Sequence, residues 1–451
     1  MKGATADSSK DSPGARSLGL ASCTALVIGN MIGSGFFIAP AALARYGSTA
    51  LIGWAVMAVG AVCLGLVFAR LARIAPATGG PYAYTRMAFG RFAGFIIAWG
   101  YWISIWASLP AIAAALVGYL CELIPALAGQ HILQLMIGLA SIWIITLVNL
   151  RGVREAGLFM AAATYTKLIP FISISVFGLL WVDWRTFAPV NPSGLPFFSA
   201  LAATAPITMF AFLGLESATV PAGSVIDPER TIPRATVIGT VVSALIYILG
   251  TASVMGIIPR ETLMQSAAPF ADAARAVWGE WAAIAISLAA IISSAGALNG
   301  WTLMLAQVPM AAARDGAMPA VFGRVSSRGV PAAGLLISVC LATALVLIEN
   351  SGSATLVAVY SLIVDFSTDA AMIPYVFCSV VEAVLYMKRH PLSRVLRIGP
   401  YTPVAIVAFT FSLGTIFGAG AQAGMWSLIL ILLATPLWVF LRDRTEEQPQ
   451  D

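Results

Sequence analysis

The sequence predicts an all-α integral membrane protein of twelve transmembrane helices. Composition, a series of long apolar stretches and the sidedness of the basic residues predict it. The 451-residue chain is 59% hydrophobic and 10% charged, whereas an average soluble domain carries about 25% charged residues. A soluble globule of this length cannot hide so much apolar surface, but a bilayer solvates apolar side chains directly. A spanning helix needs about 20 apolar residues. Such stretches fall at 19–44, 49–70, 90–121, 131–150, 156–182, 198–222, 235–258, 279–312, 331–349, 354–386, 401–421 and 424–441, numbered spans 1 to 12. The connections between them are too short for an independent soluble domain.

With the N-terminus inside, 20 of the 25 Lys and Arg residues fall in inside loops and tails. Four fall outside (Arg45, Arg185, Arg260 and Arg275), and Lys167 stays in the membrane. That split follows the positive-inside rule, and a missed or extra span would invert every later loop. Both termini are therefore expected in the cytoplasm. Residues 1–17 are polar, lack the apolar core of a signal peptide and are expected to be a disordered tail. Residues 442–451 are expected to form a second short tail.

Other function classes find no support. Cys23, Cys63, Cys121, Cys340 and Cys378 lie in or beside apolar segments, without metal-ligand spacing, and read as small core residues. With only His131 and His390, a histidine metal or catalytic site is not expected, and neither is a cofactor. There is no nucleophile elbow, phosphate loop or dinucleotide fingerprint, so the chain does not read as an enzyme. No soluble basic domain suggests nucleic acid. A channel would need a charged filter ring, which is missing.

Span 1 carries Gly33-Ser34-Gly35 in its middle, and span 6 carries Gly214-Leu215-Glu216-Ser217, about 180 residues later. Five spans separate them, so the second unit is inverted in the membrane. Paired glycine-interrupted segments in an inverted repeat point to a transporter's binding site. Glycine and a small hydroxyl let a helix unwind, and a substrate carboxylate can satisfy the freed N–H groups at the positive end of a half-helix. The competing reading is close helix packing through small residues.

Charges inside a span are costly, by roughly 2.5 kcal/mol or more on insertion scales, so each needs a reason. Glu216 at the span 6 break can shape the pocket, link substrate to gates through hydrogen bonds, hold a cation or carry a proton. Lys167, in span 5, can replace a bound sodium ion by donating to carbonyls at the span 1 break, or give up its proton; snorkelling to the interface is the alternative. Asp365 and Asp369 are four apart and share a helix face, expected toward the bundle interior, where they can attract a cation, carry protons or pair with Lys167. Tyr101, Ser104 and Ser108 form a polar stripe in span 3. Phe210, before the span 6 break, and Trp301, after Asn299-Gly300, can stack on a cation.

The segments Ile28-Gly29-Asn30-Met31-Ile32-Gly33-Ser34-Gly35-Phe36-Phe37, Gly79-Gly80-Pro81-Tyr82-Ala83-Tyr84, Phe212-Leu213-Gly214-Leu215-Glu216-Ser217-Ala218 and Asp227-Pro228-Glu229-Arg230-Thr231-Ile232-Pro233 resemble the amino acid–polyamine–organocation superfamily. Asn299-Gly300-Trp301-Thr302-Leu303 and Ala313-Arg314-Asp315-Gly316 extend the likeness, which covers about residues 18–440. It is strongest to the basic amino acid/polyamine antiporters, especially those exchanging arginine and agmatine. The resemblance implies a five-plus-five inverted repeat (about 18–183 and 198–386) with broken helices 1 and 6, plus two extra helices (401–441). It also implies alternating access in the bacterial inner membrane and, often, a homodimer. Met31, Ser34 and Gly35 would bind the substrate's α-carboxylate and amino group, with Leu213 beside the second break. Tyr101 would act at a gate, Trp301 would be a middle gate, Glu216 would couple the site to gating, and Ser367 falls at a pocket serine. Phe210 stands where the arginine/agmatine exchangers have a stacking tryptophan, and Leu109 where they have an asparagine. Lys167 resembles a lysine of proton-coupled amino acid permeases in the same superfamily. The expected activity is exchange of cationic amino acids or polyamines; the alternative is a proton-coupled permease using Lys167.

Overall fold

The computed structural model describes residues 18–74, 79–151, 169–220, 222, 225–349, 356–389 and 402–446. Lys167 and the tail 1–17 lie outside the described residues.

Span 1 is three pieces, α1 (Leu20–Met31), α2 (Ser34–Phe37) and α3 (Ala39–Leu43). Then come α4 (Thr49–Ile74), α5 (Pro81–Phe89), α6 (Arg91–Leu123), α7 (His131–Arg151) and α8 (Ile169–Trp181). The second half begins with α9 (Phe197–Phe212), α10 (Pro228–Ile257), α11 (Arg260–Leu263), α12 (Pro269–Trp278) and α13 (Glu280–Arg314). It continues through α14 (Ala320–Gly323), α15 (Ala332–Glu349), α16 (Leu356–Arg389), α17 (Thr402–Gly418), α18 (Ala421–Leu432) and α19 (Thr435–Glu446). Among the described residues, eight helices are long and apolar enough to cross a membrane, joined by shorter apolar helices at Leu20–Met31, Ile169–Trp181, Ala332–Ile348 and Thr402–Gly418. The protein is an all-helical, multi-pass membrane protein.

Several boundaries differ from the sequence expectation. Helices α4 and α10 run past the apolar stretch, carrying Arg70, Arg73, Arg230 and Arg234 in helical turns, and α10 does so with Pro228 in its first turn and Pro233 inside the helix. The loop expected between spans 7 and 8 holds α11 and α12, each entered through a proline. Span 12 is split by a turn at 433–434, and α19 continues to Glu446 where a tail was expected.

Long helix α6 packs against α13 and α16, and α10 against α1 and α4, so the broken span 1 is enclosed by continuous helices. The outer surface is apolar: Ile132, Leu180, Phe198 and Phe417 are each more than three-quarters exposed, as suits a lipid-facing wall. Inside, hydroxyls turn onto their own helix. Thr146, Thr208, Thr240, Thr302 and Ser338 donate to carbonyls four residues back, which satisfies polar groups where no water is at hand. The ion pairs join residues that the charge count assigns to one side. Arg70 pairs with Glu382 and Arg86 with Asp315 at the inside-assigned end. Arg275 pairs with Glu122 at the other.

Candidate functional site

The site is built on the break in span 1. Helix α1 ends because Ile32 turns extended (φ −78°, ψ 92°) and Gly33 follows at φ −151°, ψ −144°. Close approach explains the glycines. A Cβ on Gly33 would lie 2.9 Å from Ala297 Cβ, and one on Gly35 only 2.7 Å from the Cα of Ala211 in α9. At the second break Gly214 has φ +95°, which favours glycine, and a Cβ there would meet Asn30 at 3.0 Å. The two breaks are therefore packed backbone to backbone.

Breaking a helix frees carbonyls that must find partners. Side chains from α13 and α16 supply them here. Trp301 Nε1 donates to the Asn30 carbonyl at 3.3 Å, Ser293 Oγ to that of Ile32 at 3.1 Å and Tyr360 Oη to that of Ser34 at 3.0 Å. Asn30 Nδ2 contacts Met304 Sδ at 3.3 Å, while its Oδ1 is buried with no partner.

A cavity of about 10 Å³ lies beside the break, lined by Asn30, Met31, Gly33, Ser34, Gly35, Ile112, Phe210, Ala297 and Trp301. That is about the room of one water. An amino acid or diamine enters only if the surrounding helices move apart. Phe210 meets Tyr360 edge to face, with ring centroids 6.1 Å apart, so two aromatic faces and the Trp301 indole stand around the break.

Glu216, fully buried at the second break, does not line this cavity. One carboxylate oxygen accepts from Tyr101 Oη of α6 and the other from Tyr375 Oη of α16. The carboxylate thus ties α6 and α16 to the unwound part of span 6. Two hydroxyl donors to a buried carboxylate are charge-assisted bonds, stronger than neutral ones, so this clamp resists separation of the three elements.

Of the residues singled out from the sequence, Met31, Ser34, Gly35, Phe210 and Trp301 come together around the cavity. Tyr101 stands in the Glu216 clamp. Leu213 is buried at the end of α9, its N–H returned to the Met209 and Phe210 carbonyls, and it does not line the cavity. Ser367 is buried but donates to Val364 of its own helix at 3.3 Å, outside the lining. Ser104 and Ser108 likewise bond to α6 carbonyls. Asp365 and Asp369 do not line the cavity; Asp369 lies beside Gly424 of α18. The two aspartates share a face directed into the protein, where Asp369 is buried, but it is not the face at the cavity: Tyr360, two turns from Ser367 on the same face, reaches Ser34, and the aspartates lie about 160° round the helix from Ser367. Sequence reasoning assigned no role to Asn30, Tyr360 or Tyr375. A lone polar Asn30 in an apolar run was a signal for the first; Tyr360 and Tyr375 carried none.

On the inside-assigned end, Asp315 accepts from Tyr82 Oη at 3.0 Å and pairs with Arg86. On the other end, Arg275 gathers Glu122, Asp272 and Glu280. Burial, partly offset by the Ser266 hydrogen bond and by Arg275 and reinforced by the Glu122 charge, pushes the Asp272 carboxyl up from its ordinary range. No group of three or more metal-binding side chains occurs among the described residues.

Comparison with known proteins agrees with this architecture. The chain is 30% identical over 433 residues to putrescine transporter PotE of Escherichia coli (strain K12), covering 95% of this chain and 97% of the relative. It is 30% identical over 425 residues to putrescine transporter PotE of Haemophilus influenzae, covering 94% and 97%. Against the cadaverine/lysine antiporter of Escherichia coli (strain K12) it is 33% identical over 373 residues, 81% of this chain and 83% of the relative. The profile of the family described as amino acid permease matches residues 18–441. The chain therefore belongs to the amino acid permease family, a family of transporters and not of enzymes.

Proposed function

We propose that this protein is a secondary transporter that exchanges small organic cations, diamines and basic amino acids, across the bacterial inner membrane by alternating access. The observation that carries this reading is the cavity at the span 1 break. It brings glycine-exposed backbone together with Phe210 and Trp301 in a chain similar over most of its length to a putrescine transporter and a cadaverine/lysine antiporter. In this reading the twelve spans form a five-plus-five inverted repeat with two further helices, and both termini face the cytoplasm.

The backbone around Met31, Ser34 and Gly35 receives the carboxylate and amino group of an amino acid, or one amine of a diamine. Phe210 and Trp301 cover the alkyl chain and face its cation. Because the cavity holds about one water as it stands, substrate must hold apart what is otherwise collapsed. A substrate drives the cycle only by binding the open and closed states differently. Glu216 acts through Tyr101 and Tyr375 as the latch between α6, α16 and span 6, and transport requires that latch to break and re-form.

The test is uptake of radiolabelled putrescine, cadaverine, lysine and arginine into proteoliposomes that are empty or preloaded with each compound unlabelled. Uptake that requires an internal amine or basic amino acid is expected. Uptake of alanine into empty vesicles, driven by an inward proton gradient, would overturn the exchange reading and move attention to Lys167.

A further inference from the structure

We infer that Asp369, with Asp365 one helical turn away, forms a proton-binding site between α16 and α18, separate from the substrate cavity. The faces of α16 argue for separation. Tyr360 reaches Ser34 at the first break. On other faces Thr368 Oγ1 donates to Pro206 of α9 at 3.3 Å, and the Phe366 carbonyl accepts from Ser427 of α18 at 3.3 Å. Residues 365 and 369 fall between those two contacts by helical phase. Asp369 Oδ2 lies 3.5 Å from where a Cβ on Gly424 would sit, so the backbone of α18 at Gly424 covers the carboxyl.

Asp369 is 1% exposed, and neither of its oxygens has a hydrogen-bond partner; Asp365 Oδ1 is also buried without one. The charge acting on Asp369 is Asp365, and the charge acting on Asp365 is Arg45, with the Tyr360 hydroxyl also within its field. Helices α3, α9, α17 and α18 contain no charged residue, and those of α6 are Arg91 and Glu122 at its two ends. Of the charges of α4 and α5, Arg70 pairs with Glu382 and Arg86 with Asp315, while Arg73 is in the last turn of α4. An ionised carboxylate without a partner is strongly disfavoured at such a place, and a second carboxylate one turn away adds repulsion. Asp369 is therefore the neutral acid in this conformation, holding a proton that none of the contacts at the substrate cavity involves.

The same lack of partners makes the site conformation-dependent. A movement of α18 that admits water lets Asp369 ionise and release its proton to that water or to half-buried Asp365, on the way to the end of the bundle where exposed Arg45 stands. Proton occupancy is thereby linked to the packing of α16 against α18.

The test uses infrared spectroscopy of the full chain in nanodiscs, titrated with pH. The expected result is a carbonyl band of a protonated carboxyl that shifts on deuterium exchange, is lost in Asp369→Asn and is displaced in Asp365→Asn. If Asp369→Asn does not fold, a carboxyl-carbon isotope label on the aspartates of the unsubstituted protein reads the same band by its isotope shift. In vesicles with an internal pH dye, Asp369→Asn loses proton movement that accompanies substrate uptake. A band unchanged by Asp369→Asn, or with no aspartate isotope shift, would overturn the inference. The coupling arm rests on the transport reading above, but the infrared arm does not. Amine exchange without an Asp369 band sinks only the proton site, and the band without amine exchange sinks only the substrate assignment.

Discussion

Replacing Gly35 with alanine tests whether the two broken spans are packed backbone to backbone. The added Cβ would stand 2.7 Å from Ala211 Cα, 2.9 Å from its nitrogen and 3.0 Å from its Cβ. Carbon atoms rest at about 3.5–4.0 Å, so α2 and α9 must part by about 1 Å. The obstacle is backbone, which has no rotamer to yield. Overpacking of this kind costs about 1–3 kcal/mol, against which alanine recovers up to about 1 kcal/mol of helix propensity. Gly414 is the internal control, because it lies in α17 with nothing within 4 Å of an added Cβ. Gly414→Ala should be neutral or stabilising by about 0.5–1 kcal/mol. The two variants should therefore differ by about 1–3 kcal/mol, read as thermal unfolding midpoints in one detergent. Gly35 also lines the cavity, so Gly35→Ala should raise the half-saturating substrate concentration in counterflow by about tenfold, which corresponds to about 1.4 kcal/mol. A Gly35→Ala protein that melts with Gly414→Ala and keeps its half-saturation would refute the packing argument.

Other perturbations follow from the same geometry. Tyr375→Phe and Tyr101→Phe each remove one donor from buried Glu216 and should cost about 1–3 kcal/mol apiece, with the double variant departing from additivity. Thermal midpoints of the four-membered cycle check this, and additive losses would argue against a shared clamp. Arg275→Gln leaves Glu122, Asp272 and Glu280 without their common cation; exposure and screening limit the loss to about 1 kcal/mol or less. Because burial raises the folded-state Asp272 carboxyl above its unfolded value, its proton-linked stability is present at low pH and lost as pH rises through the folded value. The variant's deficit in thermal midpoint should therefore be larger near about pH 7 than near about pH 4, and smaller in high salt; a deficit independent of both would count against an electrostatic cluster. Asp315→Asn removes the Arg86 ion pair and weakens the Tyr82 contact, so a cysteine placed at Ala83 should be labelled faster from that side of the membrane, and an unchanged rate would mean this contact does not hold the end closed.

What the sequence determined by itself was everything set by local chemistry. Long apolar runs make membrane helices because backbone groups must be satisfied within the segment. Gly33 and Gly214 mark where two helices stop, Gly214 because its positive φ favours glycine and Gly33 because a Cβ there would crowd Ala297. Met31, Ser34 and Gly35 as binding residues, and Phe210 and Trp301 as their aromatic neighbours, were implied by the family resemblance and not by local pattern, and they come together at the cavity. What only the tertiary structure decided was phase and partnership. Asp365 and Asp369 share a face, as their spacing requires, but which neighbour that face meets depends on how α16 is rotated against α9 and α18, and the spacing carries no information about that rotation. The Glu216 clamp joins hydroxyls 115 residues before and 159 residues after it, and the carbonyls freed at span 1 are taken by Ser293, Trp301 and Tyr360, more than 260 residues away. Such contacts arise from packing between whole helices, so no local pattern announces them.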